Sequence, residues 1–338
     1  MQIQRLADEF EMSRICKKQG SNTMRKLTSD EKKTKTVADG IWPTMITPYG
    51  EDGRIDYSQV ERLIEFYYEN GMTGIFAICQ SSEMFFLDEK ERLELADFIL
   101  KANRGRMDIV VAGTVDDNLE DQLSFAKKAA ELGPDAVVFL RNRLSDDFCG
   151  DLSKIIAAMP SDMPLGMYEC PYPFKRYLTD DEVKAIADTD RFVFLKDTVC
   201  DIAAMRRRAK LVEGSSFKLY NANGATFYDS VLAGYNGYSG IMANFHPDLY
   251  AWVYNNINDP RAPIVARMLG VMSLIECRGY PICAKTYLRR FEGFDMTDIC
   301  RSVSYNGVPA LDDELYDVFC LGEYIREEII KTGTHRKN

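Results

Sequence analysis

The chain has 338 residues, with 42 Lys and Arg against 52 Asp and Glu and two histidines, for a formal net charge of −10. So acidic a chain is a poor match for nucleic-acid phosphates, and no run approaches the ~20 apolar residues of a membrane span. With His246 and His335 as its only histidines, a His-rich metal site is excluded and any His-based triad rests almost wholly on His246.

The length allows one large domain or two small ones, with a core that needs neither disulfide nor metal. Residues 1–36 carry nine Lys and Arg against five acids, a net +4, which leaves −14 for the remainder. Phe10 is the one aromatic residue among these charges, where a nucleic-acid-binding arm would interleave several, so the segment reads as a flexible, solvated arm. Met24 is a second candidate start, in which case residues 1–23 precede the protein proper. The opening MQIQRLADEFEMSR lacks the apolar core of a secretory signal. The nine cysteines include no C-x-x-C pair, and most read as small buried hydrophobes in a reduced compartment. The chain is therefore expected to be cytoplasmic.

From Gly40 onward, short apolar runs alternate with amphipathic ones. The short runs cover 40–47, 74–79, 109–115, 136–140, 164–170, 192–198, 217–222 and 238–243. They are apolar on both faces, as buried parallel strands are. Between them, YSQVERLIEFYYENG places Val60, Leu63, Ile64 and Tyr67 on one helical face before Gly71. DEKERLELADFILKANRG and NLEDQLSFAKKAAELG behave alike. Eight such units predict an α/β fold, a (β/α)8 TIM barrel over 37–260. A doubly wound sheet would show a G-x-G-x-x-G first turn, which is absent. Helical spacing dominates 261–332, predicting a C-terminal helical extension, and 333–338 reads as a disordered tail.

Barrel enzymes build their sites at the C-terminal ends of the strands. Polar residues there include Thr47, Ser81, Ser82, Arg141, Arg143, Tyr168, Lys196 and Ser239. Lys196 follows Phe192-Val193-Phe194-Leu195, so its ammonium starts from a buried strand. Desolvation lowers the pKa of such an amine and suits it to attack a carbonyl. The alternative is a structural cation paired with Asp197. Tyr168 lies 28 residues earlier, one βα unit away. It can relay protons or be a core tyrosine with a satisfied hydroxyl. Ser81 and Ser82 can hold a carboxylate with hydroxyl and backbone N–H groups, or cap a helix together with Glu83.

These residues resemble the dihydrodipicolinate synthase / N-acetylneuraminate lyase superfamily of class I, Schiff-base-forming enzymes, from about Gly40 to about Phe291. GIWPTMITPYGEDGRID is similar to the family's T-P-F-x-x-D-G-x-I-D opening. Cys79-Gln80-Ser81-Ser82-Glu83 stands where the family has G-T-T-G-E, Tyr168-Glu169-Cys170-Pro171 where it has Y-N-x-P, and Leu195-Lys196-Asp197 where it has I-K-E/D. GYNGYSGIMANFHP is similar to G-x-x-G-x-I-S-x-x-A-N. The resemblance implies a barrel with a helical lobe and a homo-oligomer, tetramer or dimer. It implies an imine of Lys196 with a 2-oxo acid such as pyruvate, proton transfer by Tyr168, and carboxylate contacts from Ser81 and the Ser82 N–H. Thr47 and Ser239 join the expected substrate-binding set. No cofactor or metal is expected, because the iminium is itself the electrophile.

Two departures bear on the second substrate. The synthase's carboxylate-binding arginine aligns with Pro173, with Lys175 and Arg176 nearby. The synthase's tyrosine pair after strand four, part of a relay shared with a neighbouring subunit, is replaced by Arg141-Asn142-Arg143-Leu144. Arg141 and Arg143 suggest an anionic or polyhydroxylated second substrate. The expected activity is C–C cleavage or condensation, or dehydration of a sugar-acid-like compound. The alternatives are 4-hydroxy-tetrahydrodipicolinate synthase and a non-catalytic ligand-binding or regulatory barrel.

Overall fold

The computed structural model describes residues 36–302 and 313–331. The arm expected over 1–36, all but its last residue, and the tail expected over 333–338 lie outside the described residues. The described residues form eight parallel strands: β1 (Gly40–Ile41), β2 (Gly74–Phe76), β3 (Asp108–Val111), β4 (Ala136–Leu140), β5 (Leu165–Tyr168), β6 (Phe192–Asp197), β7 (Lys218–Asn221) and β8 (Gly237–Tyr238). Their order is β1-β8-β7-β6-β5-β4-β3-β2. The ring closes between β1 and β2, where Thr73 N donates to Ile41 O and Phe76 N to Pro43 O, both at 3.0 Å. This is the expected (β/α)8 barrel. β1 is shorter than its apolar run because Pro43 has no N–H for the ladder. β8 ends early where the chain tightens into a 3₁₀ turn, Ile241–Asn244.

Helices α1 (Tyr57–Glu69), α2 (Glu89–Asn103), α3 (Leu119–Glu131), α4 (Phe148–Ala158), α5 (Asp180–Ala187), α6 (Ile202–Leu211), α7 (Phe227–Leu232) and α8 (Pro247–Asn255) follow the eight strands in turn. Side-chain caps fix several starts: Asp56, Asn118 and Asp201 accept from first-turn N–H groups, and Asp88–Glu91 and Thr179–Glu182 form reciprocal capping boxes. A carboxylate or amide capping a βα turn sets where each strand end stops, and so where its polar residue sits.

An aromatic column fills the barrel. Trp42 packs on Phe194 and Tyr220 with ring centroids 5.3 and 5.5 Å apart, Phe194 meets Phe76 at 5.7 Å, and Phe76 meets Tyr168 at 5.5 Å. Gly74 leaves room for it: a Cβ there would lie 2.4 Å from the Trp42 ring. The column is the floor on which the upper residues stand.

The C-terminal extension comprises α9 (Ala262–Met272), a 3₁₀ turn (Ser273–Cys277), α10 (Ile282–Phe291) and α11 (Asp313–Tyr324), which runs on into a wider π-type turn, Ile325–Lys331. It covers His246, which is fully buried with Nδ1 3.0 Å from the Tyr287 hydroxyl. His246 therefore serves packing, away from the strand ends. Burial, reinforced by Arg326, holds its pKa well below the usual imidazole value. The unfolded chain binds this proton near pH 6.5 while the folded chain refuses it, so stability rises with pH across that window and is lost below it. Urea titrations should show up to about 2 kcal/mol lost between pH 7 and pH 5 from this group. His246→Gln should remove that share, and an unchanged pH slope in the variant would contradict this account.

Candidate active site

β5 and β6 pair with Tyr168 directly opposite Lys196. In-register neighbours on parallel strands point to the same side, here into the barrel mouth. The Lys196 ammonium lies 4.6 Å from the centre of the Tyr168 ring and 5.8 Å from that of Phe76. Lys196 is only 4% and Tyr168 only 2% exposed. Burial lowers the Lys196 pKa and raises that of Tyr168 well above the usual phenol value. The amine is thus easier to deprotonate and the phenol keeps its proton.

Asp197 does not neutralise Lys196. Strand alternation turns it outward, where it accepts from Arg208 at 2.6 Å and from the Tyr235 hydroxyl at 2.5 Å. Glu169, the residue after Tyr168, takes the other arm of Arg208 at 2.8 Å and accepts from Leu178 N and Thr198 N. One buried guanidinium thereby clamps the strand ends that present Tyr168 and Lys196. The structural-cation alternative for Lys196 has no support, since no carboxylate lies within ion-pair distance of its ammonium among the described residues.

Above these residues is a cavity of about 530 Å³, within the range of small-molecule sites. Lys196, Tyr168 and Ser81 line it, with Gln80, Asn223 and Thr198 as further polar groups. The Ser81 hydroxyl donates to Thr44 Oγ1 at 3.0 Å. Ser82 and Thr47 are one step back. The Ser82 hydroxyl bonds the N–H and carbonyl of Cys79, and Thr47 donates to the Ser82 carbonyl at 2.8 Å. Both side chains brace the turn that carries Ser81. Ser239 is fully buried at the end of β8 and does not line the cavity.

Arg141 and Arg143 do not line it either. Arg141, 2% exposed, forks onto Glu182 of α5, and Arg143 bonds Asp117. Arg176 is tied to Asp146 and the Leu144 carbonyl, and Lys175 lies over the Tyr177 ring. None of these four cations lines the cavity, and among the described residues that line it the charges are Lys196 and Glu276.

Sequence reasoning missed what the C-terminal extension contributes. Glu276, Cys277, Tyr280 and Pro281 enter the cavity wall from the segment between α9 and α10. Burial pushes the Glu276 carboxyl up, against the opposing pull of Lys196 and Lys175. Glu83 does not cap a helix by its side chain: it sits in the left-handed region at φ 61° and accepts from Arg301 N and Ser302 N, both at 2.6 Å. Its carboxylate pins Ser302 at the cavity edge. The G-T-T-G-E-like turn carried the only advance signal for this role, and it could not name the partner. Among the described residues no group of three His, Cys, Asp or Glu could hold a metal ion, and no helix is long and apolar enough to cross a membrane.

Comparisons with known proteins bear on the fold and the family. The chain is 27% identical over 267 residues to a 4-hydroxy-tetrahydrodipicolinate synthase of Laribacter hongkongensis (strain HLHK9), covering 74% of this chain and 88% of that one. It is 26% identical over 280 residues to the enzyme of that name from Bacillus subtilis (strain 168), covering 80% and 93%. Its fold matches that of a prophage protein of the dihydrodipicolinic acid synthase family from E. coli K12, solved with pyruvate, at a TM-score of 0.74 and 19% identity over 85% of this chain and 98% of that one. It also matches a catalytic-lysine mutant of a Ruminococcus gnavus sialic acid aldolase at a TM-score of 0.71 and 18% identity, covering 84% and 94%. At such identities these two structures speak to the fold alone. The family model described as the dihydrodipicolinate synthetase family matches residues 37–305, most of the length, and the chain belongs to that family.

Proposed function

We propose that this protein is a class I, Schiff-base-forming lyase acting on a 2-oxo acid of the pyruvate type. One observation carries the reading: a buried lysine that pairs with no carboxylate among the described residues faces a cavity beside a phenol whose burial keeps its proton on, above an aromatic floor. The neutral Lys196 amine adds to the ketone, and loss of water gives the imine. The protonated imine then draws the electron pair of the adjacent bond toward nitrogen, giving an enamine after C–C cleavage, or an enamine nucleophile for condensation. Tyr168 supplies and removes protons at the carbinolamine, and Ser81 with its turn holds the carboxylate. Thr47 and Ser82 support that turn. The same imine permits dehydration of a sugar-acid-like substrate.

The lining charges favour a second half rich in hydroxyls over one with further carboxylates. Among the described residues the cavity presents Glu276, Asn223 and Gln80 and no guanidinium, whereas a second carboxylate would call for a fixed arginine fork. A second reading, 4-hydroxy-tetrahydrodipicolinate synthase, is favoured by the names of the relatives. By family resemblance we also place the protein in the cytoplasm as a homo-oligomer.

Incubation with pyruvate and borohydride, followed by peptide mass spectrometry, tests the core of this reading. The expected result is a pyruvyl adduct on Lys196. No adduct with any of several 2-oxo acids would favour a ligand-binding barrel instead. Pyruvate condensation with glyceraldehyde against a carboxylate-bearing aldehyde then separates the two enzyme readings.

A further inference from the structure

Two aromatic side chains at the cavity wall take no part in the imine chemistry. Phe85 lies in the 3₁₀ turn Met84–Phe86, directly after the turn that carries Ser81. Tyr172 lies four residues beyond Tyr168, the last residue of β5. β2 and β5 are separated by two strands in the barrel, yet the two rings meet with centroids 4.7 Å apart and planes tilted by 49°. Both residues line the cavity into which Lys196 opens.

The pair is fixed by its surroundings. Asn142, buried in the turn after β4, spends both Nδ2 protons on the loop that carries Tyr172, donating to Tyr172 O at 2.8 Å and to Phe174 O at 2.7 Å. The Arg143 guanidinium lies over the Phe85 ring, 5.5 Å from its centre. Tyr172 is nonetheless 44% exposed. Rings held in place and left open to a cavity gain when a flat apolar group covers them, from area removed from water and from ring-on-ring contact. Little ordering is left for binding to impose on them. A compact aldehyde offers almost no such face.

We propose that Phe85 and Tyr172 form a stacking subsite for the second half of the substrate, selecting an uncharged aldehyde that bears a flat hydrocarbon ring over a compact one. The inference rests on the Schiff-base reading above and deepens it by naming the class of the second half. Lack of charge follows from the described lining, where the cation is Lys196 and that amine is committed to the imine. Hydroxyls on the same half would meet Asn223 and Gln80, which also line the cavity.

Condensation of pyruvate with benzaldehyde and with glyceraldehyde, both uncharged, tests the subsite. The wild-type protein should use benzaldehyde with the lower KM. Tyr172→Ala should raise the benzaldehyde KM about 10-fold, the scale of a lost ring contact with its buried area. Its kcat should change less than about twofold, as for binding energy equal in ground and transition states. The benzaldehyde-to-glyceraldehyde ratio of kcat/KM then falls by a similar factor. Tyr172→Phe keeps the ring and should keep the ratio. Phe85→Leu, which retains apolar bulk, should lower it in the same sense. An unchanged ratio in both Tyr172→Ala and Phe85→Leu would overturn the proposal, as would a wild-type protein that accepts glyceraldehyde and refuses benzaldehyde. An equal loss with both aldehydes would also overturn it, assigning the rings to the fold or to contact with a second copy of the chain. Borohydride trapping of pyruvate tells the two failures apart. A wild-type protein that forms no Lys196 adduct sinks the Schiff-base reading itself, whereas an adduct with an unchanged ratio sinks the stacking subsite alone.

Discussion

Replacing Lys196 with Arg should abolish the pyruvate–borohydride adduct and lower turnover by about 10⁴–10⁶-fold, the scale of losing a covalent nucleophile. Arginine preserves the charge but stays protonated at any working pH, so it offers no lone pair to the ketone. Lys196→Met should lose the adduct equally while leaving the melting temperature unchanged or raised, because the variant no longer holds an unpaired ammonium in a buried site. Two readouts moving in opposite directions mark a residue kept for chemistry and not for the fold. The pH dependence has a definite sign as well. Burial lowers the Lys196 pKa, so the reactive free amine accumulates at a lower pH than for an ordinary lysine near 10.4. The trapping rate should therefore reach its plateau below that value. A plateau reached only above it would show that the ammonium is stabilised in the cavity.

The barrel was legible in the sequence because parallel strands buried on both faces leave short, continuous apolar runs, and the intervening helices carry a 3.6-residue period. Lys196 and Tyr168 stood out for the same reason: a polar side chain at the end of such a run faces the mouth by geometry. Arg141 and Arg143 also follow a strand, but their direction depends on partners distant in sequence. Arg141 turns to Glu182, 41 residues on, and a sequence pattern does not encode that pairing. The same limit hid Tyr280 and Glu276. Their segment has the spacing of an ordinary helical connection, and only the docking of the extension on the barrel brings it into the cavity. Thr47 and Ser82 fall between these cases. The pattern placed them at strand ends, but their hydroxyls are taken up by backbone groups of the turn, which local hydrogen bonding decides.

Arg208→Ala should be the most damaging substitution for stability, at about 3–5 kcal/mol, the cost of leaving buried charges without their partner. The guanidinium bonds Glu169, Asp197 and the Leu178 carbonyl from a position almost fully buried. Without it Glu169 faces Asp197 in a buried site with nothing to offset that charge, and its pKa, already raised by burial, rises further. Glu169 then takes up a proton in the folded state that it releases on unfolding. The deficit relative to wild type should therefore shrink as pH falls from 8 toward 5 and grow as pH rises, which urea titrations at several pH values would measure. Arg208→Lys should recover only part of the loss, since one ammonium cannot reproduce a fork onto two carboxylates. The effect should reach the chemistry too, because Glu169 and Asp197 directly follow Tyr168 and Lys196. Releasing them lets the ends of β5 and β6 shift, and a displacement of about 1 Å between reacting groups can cost about 10²-fold in rate. An Arg208→Lys protein that is folded, traps pyruvate at the wild-type rate and shows an unchanged melting temperature would mean that the clamp is not what holds the two strand ends in register.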